Sequence, residues 1–142
     1  MKKFLYSLFL TTLISGIIVS CNSSKGTKAN VASDSTTHAD LEYIEDFFDF
    51  GSIAEGEIVS HTFHFKNAGN APLIIKDAIT SCGCTTPKLS SKVLNPGEEG
   101  SIEVVFNSTG WYGSQYKSVT LRTNSPIREK SVTIKANVVS NH

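Results

Sequence analysis

From about residue 41 onward, apolar and polar residues alternate in short runs that have the period of a β-strand. The run Ile58–Asn67 is the clearest case, with Val59, Phe63 and Phe65 on one face together with His61. Such runs recur about every ten residues with turn residues between them, and none keeps a helical period over about eleven residues. The pattern therefore predicts an all-β domain, folded as a sandwich or a barrel.

Six runs predict well-defined strands, and a weaker seventh lies near Lys88–Leu94. The six are Ile44–Ile53, Ile58–Asn67, Leu73–Thr80, Ser101–Phe106, Gln115–Thr123 and Lys130–Val139. Outside Ile58–Asn67, alternation predicts inward faces formed by Leu73, Ile75, Ile79, Ile102, Val104, Phe106, Val119, Leu121, Val132, Ile134, Ala136 and Val138. Between strands, Asn95–Glu98 has the proline and glycine of a type II turn.

The first twenty residues have the pattern of a secretory signal. Lys2 and Lys3 precede the uncharged run Phe4–Val19, which is shorter than the roughly 20 residues that a membrane-spanning helix needs. The sequence Ile18–Cys21 resembles a bacterial lipobox, in which the cysteine is acylated by fatty acids such as palmitate. We therefore predict a lipoprotein signal peptide over residues 1–20, with Cys21 as the lipid attachment site. The alternative is ordinary secretion, with Cys21 an unrelated thiol.

Residues 21–40 are rich in Ser, Thr, Asn and Ala, so we predict a lipidated N-terminus followed by a flexible tether. The β-domain then occupies residues 41–142. Removing residues 1–20 changes the formal charge from zero to −2, a balance that gives no indication of nucleic-acid binding. Seven acidic residues and no Lys or Arg lie in Asp40–Glu57, and we interpret this stretch as a solvated sheet edge that discourages edge-to-edge pairing.

Short motifs with a fixed order run through most of the domain. They are Phe50-Gly51, Asn67-Ala68-Gly69, Pro72-Leu73, Ser81-Cys82-Gly83-Cys84-Thr85, Asn95-Pro96-Gly97-Glu98 and Thr123-Asn124. With them, the chain from about Phe48 to Val139 resembles a bacterial family of domains of unknown function, number 1573, whose members are often lipoproteins with folds related to hydin-type and major-sperm-protein-type domains. The resemblance implies an immunoglobulin-like antiparallel β-sandwich of about seven strands, and it implies no reaction.

Two cysteines separated by one glycine, Cys82 and Cys84, are the main candidate for chemistry. A disulfide between them needs a bend, which Gly83 permits, and it closes so small a loop that it contributes little stability. Two reduced, sheltered thiols are the alternative. A soft metal such as Cu(I) is a third interpretation, with His61 as the candidate third ligand; otherwise His61 lies at the rim of the core. If seven consecutive strands alternate in direction, the loops Gly51–Glu57, Ser81–Ser90 and Asn107–Ser114 lie at the same end of the sandwich.

The segment Ser108–Ser114 places Trp111 and Tyr112 between two glycines in a predicted loop. Exposed aromatic side chains on loops often act as recognition anchors, so these two residues form a candidate partner-binding loop. The alternative is that Trp111 folds back and closes the end of the sandwich.

Two functional hypotheses remain. The first is a lipid-anchored, non-enzymatic module of the cell envelope that binds or scaffolds an envelope protein, with no cofactor and no identified small-molecule substrate. No acidic run follows Cys21, so we expect the protein at the outer membrane, facing the periplasm. The second is a periplasmic thiol-redox or copper-handling protein that uses Cys82 and Cys84. The sequence lacks G-x-S-x-G, H-E-x-x-H and a Gly-rich phosphate loop, so we expect no hydrolase.

Overall fold

A computed structural model describes residues 36–140 of the chain. This part of the chain contains nine β-strands and no helix. The strands are β1 (Leu41–Tyr43), β2 (Phe47–Ala54), β3 (Ile58–Asn67), β4 (Leu73–Thr80), β5 (Thr85–Leu89), β6 (Val93–Leu94), β7 (Glu99–Asn107), β8 (Gly113–Thr123) and β9 (Glu129–Val139). Seven of them have five or more residues, which agrees with the predicted number, and β1 and β6 are short additions.

The strands form two sheets, a first sheet with the order β1-β3-β7-β5 and a second with the order β2-β9-β8-β4-β6. The pairs are antiparallel except for β2 and β9, which run parallel. The predicted immunoglobulin-like antiparallel β-sandwich is confirmed within residues 36–140, with this one parallel pair as the departure from it. The reason is that the chain crosses from the first sheet to the second between β1 and β2 without reversing, so that β2 points the same way as β9.

The strand boundaries were predicted well wherever one strand stays in one sheet. The bounds of β3 and β4 are those predicted, and β7, β8 and β9 each contain the predicted run. The two deviations lie where the chain changes sheet. The first three residues of the predicted run Ile44–Ile53 form an exposed crossing between the sheets, and β2 begins only at Phe47. The weak strand predicted near Lys88–Leu94 is divided between β5 and β6.

The apolar faces of the two sheets meet in one core, which contains nearly all the side chains predicted to point inward. The buried set is Ala39, Leu41, Ile53, Phe63, Phe65, Leu73, Ile75, Leu94, Ile102, Val104, Phe106, Val119, Leu121, Val132, Ile134, Ala136 and Val138. Ile79 is the exception, because it is exposed. The register of β4 against β8 shifts between Ile75 and Asp77, and this bulge turns Ile79 outward and Ala78 toward the core.

One end of the sandwich, which we call the asparagine end, is organised around Asn67, a fully buried residue at the end of β3. Its side-chain nitrogen donates to the carbonyl oxygens of Ala71 (2.8 Å) and Leu94 (3.1 Å). Its side-chain oxygen accepts from the backbone nitrogens of Gly69 (3.0 Å) and Asp40 (3.3 Å). All four partners are main-chain groups, so Asn67 ties the turn after β3 to β6 and to the residue before β1.

The residues just before β1 belong to the asparagine end. Ala39 is buried in the core although the sequence analysis assigned it to the tether, and the backbone nitrogen of His38 donates to the side-chain oxygen of Asn70 at 2.8 Å. Here a Cβ atom on Gly69 would lie 2.3 Å from the carbonyl oxygen of His38, so only glycine fits. The predicted type II turn is also here, with Gly97 at φ 78°.

Candidate functional site

The opposite end of the sandwich, which we call the cystine end, is formed by the turns after β2, β4 and β7. The hydroxyl of Ser108 lies 2.9 Å from the carbonyl oxygen of Ala54 and 2.8 Å from that of Glu57, and its single proton is shared between these two acceptors. The backbone nitrogen of Asn107 donates to the carbonyl oxygen of Cys84 at 3.1 Å. These contacts join the three loops, so the predicted grouping of the loops at one end is confirmed.

Cys82 and Cys84 form a disulfide in the turn between β4 and β5, with their Cα atoms 5.3 Å apart. This separation is within the usual range for disulfides. Both cysteines are half-buried, and the Thr85 hydroxyl lies 3.4 Å from the sulfur of Cys82 and 3.8 Å from that of Cys84. Of the alternatives open from the sequence, the structure has the disulfide.

Gly83 does not have the role that the sequence suggested. Its φ angle is not positive, and a Cβ atom built on it would meet nothing within 4 Å. The turn therefore needs no glycine for steric reasons. Gly83 is also exposed, so the backbone over the disulfide is open to solvent.

His61 does not join the cysteines. Its ring stacks on Phe48 with the ring centroids 3.7 Å apart, and its Nε2 lies 2.7 Å from a carboxylate oxygen of Glu45. In the register of the first sheet, His61 of β3 pairs with Val104 of β7. Cys84 lies opposite Asn107, immediately before β5 on the other side of β7, and is therefore two strands away from β3. Strand spacings put the two residues roughly 14 Å apart. Within residues 36–140, no group of three His, Cys, Asp or Glu side chains is arranged to hold a metal ion.

Each of the two interpretations of the loop Ser108–Ser114 holds for one of its two aromatic residues. Trp111 is half-buried and packs against the core, which closes the end of the sandwich. Tyr112, the next residue, is 63% exposed. The loop therefore combines a fixed aromatic base with an aromatic side chain that is accessible to a partner.

The ammonium group of Lys117, a residue of β8, lies against the face of the Trp111 ring. This lysine is buried, its Nζ lies 3.3 Å from the centroid of the Trp111 ring, and it donates to the side-chain oxygen of Gln115 at 3.1 Å. Desolvation lowers the pKa of Lys117, while the electron-rich face of the ring offsets part of the cost of burying the charge. We did not predict that Lys117 is buried, although it lies on the same inward-facing side of β8 as Val119 and Leu121.

The free edges of the two sheets carry acidic or proline residues, which hinder the addition of a further strand. The acidic stretch predicted to be an edge lies on β1 and β2, which are outer strands, so that prediction is confirmed. On β4, Asp77 caps the backbone nitrogen of Ala78 at 2.9 Å, and on β2, Asp49 caps that of Gly51 at 2.8 Å. In β5, Pro87 has no N–H group to offer.

These features define the class of protein as an immunoglobulin-like β-sandwich with a disulfide turn at one end. Residues 41–138 match the family described as "Protein of unknown function (DUF1573)", and the chain belongs to that family. The match covers most of the described domain, from β1 to near the end of β9. It confirms the resemblance found in the sequence, and the description of the family names no activity.

Solved structures share the fold at low identity. A protein of unknown function from Porphyromonas gingivalis W83 aligns with a TM-score of 0.62 and 19% identity, over 70% of this chain and 46% of that one. The secreted serine protease VesC from Vibrio cholerae gives 0.52 and 15%, over 74% and 24%. The YadV chaperone gives 0.52 and 13%, over 70% and 52%. This chain therefore spans about half or less of each of these proteins, and the likeness shows the fold alone.

No curated protein shows significant similarity to this sequence. Among the described residues, no helix has the length and apolar character needed to span a membrane. Cys21 and the predicted signal peptide lie outside the described residues.

Proposed function

We propose that the protein is a lipid-anchored module of the cell envelope that binds a protein partner through its cystine end, without catalysing a reaction. The lipid anchor is Cys21, and the domain faces the periplasm from the outer membrane. Membership of a family without a described activity and the N-terminal sequence support this proposal.

The position at which the chain enters the domain supports the choice of the cystine end. Residues 38–41 lie at the asparagine end, where Leu41 is in register with Asn67. The cystine end is therefore the end of the domain farther from the residues at which the described chain begins. Since β3 has 10 residues, the two ends are roughly 30 Å apart, so a partner bound at the cystine end leaves the N-terminal entry of the chain uncovered.

The exposed side chain of Tyr112 is the observation that carries the proposal. It stands beside Trp111, whose ring is fixed by Lys117, so the loop does not have to be ordered from a flexible state on binding. Ile58, also at this end, is 64% exposed. An aromatic and an aliphatic side chain displayed on a firm base are typical of the anchors at which protein partners bind.

The anchor is tested by labelling growing cells with an alkynyl fatty acid and comparing the wild type with Cys21→Ser. The proposal expects label on the wild-type protein and none on the variant, which should leave the membrane fraction. An equal label on both proteins would reject Cys21 as the attachment site.

The binding surface is tested with a photo-crosslinking amino acid placed at Tyr112 and, as the control, at Ile127. Ile127 is a matched position because it is 61% exposed and lies in the loop between β8 and β9, at the asparagine end. We expect a discrete crosslinked species from position 112 in intact cells that is absent from position 127. Equal crosslinking from both positions, or none from position 112, would reject the cystine end as the binding surface.

A further inference from the structure

We propose that the Cys82–Cys84 disulfide is an exchange-active bond that accepts two electrons from a dithiol, namely a pair of neighbouring cysteines on a client polypeptide. Cys82 is the sulfur attacked and Cys84 is the leaving sulfur. Thr85 stabilises the thiolates that form. This activity goes beyond the binding role proposed above and does not depend on it.

The bond joins two positions that the fold already holds together. On one side, the backbone nitrogen of Ser81 donates to the carbonyl oxygen of Ser118 at 3.0 Å, and the nitrogen of Ser118 donates back to the Ser81 hydroxyl at 3.1 Å. On the other side, Asn107 holds the carbonyl oxygen of Cys84 at 3.1 Å. Reduction therefore leaves both sulfurs in place, close enough to form the bond again.

The disulfide also contributes little to the stability of the domain. Its cysteines are two positions apart in sequence, so the bond removes little entropy from the unfolded chain. A bond with such a small contribution is not protected against reduction by the folding energy of the domain. Both cysteines are only half-buried, and disulfides that remain accessible to solvent are typically more labile than fully buried ones.

The surroundings of the two sulfurs are unequal, and this difference assigns their roles. Cys84 packs against the hydrophobic core, whereas Cys82 is not among the residues that contact it. Gly83 between them is exposed and has open space above it, so a client chain can approach the bond closely. An incoming thiolate therefore reaches Cys82 more easily, and Cys84 is displaced toward the interior.

Thr85 supplies the hydrogen bond that the reduced state needs. It is buried, and its hydroxyl is within 3.4 Å of one sulfur and 3.8 Å of the other. A disulfide sulfur carries no proton, so the hydroxyl is the donor. A hydrogen bond to a thiolate is stronger than one to a neutral sulfur, and it therefore favours the reduced, ionised form.

The exchange balances without a further reactant. A client thiolate attacks the Cys82 sulfur, the Cys82–Cys84 bond breaks, and Cys84 leaves as a thiolate. The second client thiolate then attacks the client sulfur of the mixed disulfide and releases Cys82 as a thiolate. The client has gained a disulfide and lost two electrons, which end on the sulfurs of Cys82 and Cys84. The two protons that the client thiols release to solvent on ionising equal the two that the Cys82 and Cys84 thiolates take up from solvent when they become thiols.

The full-length chain carrying Cys21→Ser is the protein to test, because Cys82 and Cys84 are then its only cysteines. We expect glutathione to reduce the bond reversibly while the far-ultraviolet circular dichroism stays unchanged. In addition, an equimolar reduced peptide that carries two neighbouring cysteines should become oxidised as two thiols appear on the protein. A bond that opens only when the domain unfolds, or a peptide that stays reduced, would overturn the proposal.

The role of Thr85 is tested in the same background with Thr85→Val, and Thr86→Val is the control because Thr86 is exposed on the neighbouring position of β5. Loss of a hydrogen bond to a charged sulfur should shift the glutathione ratio at half-reduction by about tenfold in favour of the disulfide. Thr86→Val should not shift it. Equal shifts in both variants would overturn the assignment of Thr85.

The roles of the two sulfurs are tested with single-cysteine variants and oxidised glutathione. With Cys84→Ser, the remaining Cys82 should form the mixed disulfide several times faster than Cys84 does when Cys82→Ser is present. Faster reaction of Cys84, or equal rates, would overturn the assignment of Cys82 as the attacked sulfur. Circular dichroism of each variant verifies that it is folded.

Discussion

At the asparagine end, the motif residues Asn67, Gly69 and Asn124 are occupied with holding the fold, whereas at the cystine end Gly83 and the disulfide are not. Asn67 satisfies four backbone groups, and the side-chain oxygen of Asn124 accepts from the nitrogen of Ile74 at 2.8 Å. Gly69 lies where no side chain fits. At the cystine end, by contrast, Gly83 has open space around it and the disulfide joins positions that are already fixed.

The difference separates structural motifs from candidate functional ones. A motif that the packing explains carries no information about activity, because the fold alone requires it. The Cys82–Thr85 segment is not explained in this way, and it lies at the end of the sandwich opposite to the one at which the described chain begins. The residues that the fold does not require are therefore the ones to examine for function.

The largest expected effect comes from Asn67→Ala at the asparagine end. The substitution removes hydrogen bonds to four backbone groups, two of them carbonyl oxygens and two of them nitrogens, from a residue that is itself fully buried. We expect a loss of about 3 to 5 kcal/mol in the free energy of unfolding, measured by urea denaturation. The control is Asn107→Ala at the other end, whose exposed side chain bonds only to Thr109 and should cost less than about 1 kcal/mol. Similar losses in both variants would remove the contrast between the ends.

A smaller loss is expected from Trp111→Ala at the cystine end. The indole packs against the core and covers the Lys117 ammonium, which the substitution exposes to a cavity or to water. We expect thermal or urea unfolding to show a loss of about 2 to 3 kcal/mol, because the ring is only half-buried. Its neighbour provides the comparison, since Tyr112→Ala should change stability by less than about 0.5 kcal/mol. If Tyr112→Ala were the more damaging variant, the division of roles in this loop would be wrong.

Replacing both Cys82 and Cys84 by serine should cost less again. The loop that the bond closes is so short that its removal is expected to lower the free energy of unfolding by about 1 to 2 kcal/mol. The variant should unfold cooperatively, which calorimetry would show. Loss of the cooperative transition would mean that the disulfide is a structural staple, and the contrast with the asparagine end would then fail.

The smallest effect is expected from Gly83→Ala. Its φ angle is ordinary and the added methyl group meets nothing, so stability should change by less than about 0.5 kcal/mol. Gly69→Ala is the matched substitution at the asparagine end, where the added atom would lie within 3 Å of three backbone atoms. Chemical denaturation of the two variants compares the ends directly, and a stable Gly69→Ala protein would contradict the close packing found there.

The sequence predicted the strands well because alternation is a local property of each run, as β3 and β4 show. The prediction that Ile79 points inward was wrong. A bulge in β4 reverses which face of the sheet the following residues point to, and this bulge depends on the pairing of β4 with β8. It left Lys117 unnoticed, since a lysine at an inward position is unexpected until an aromatic ring is found above it. For the cysteines, three alternatives remained open from the sequence, which offered no means of choosing between them.

By itself, the sequence determined that the domain is built of short strands with one apolar face each, and that it belongs with immunoglobulin-like sandwiches. The tertiary structure alone decided which strands pair, that His61 lies two strands from Cys84, and that Trp111 rests on Lys117. The physical reason is the difference in sequence separation between the residues that determine each feature. Side-chain alternation is fixed within a few residues, whereas each of these contacts joins residues that only the folding of two sheets onto each other brings together.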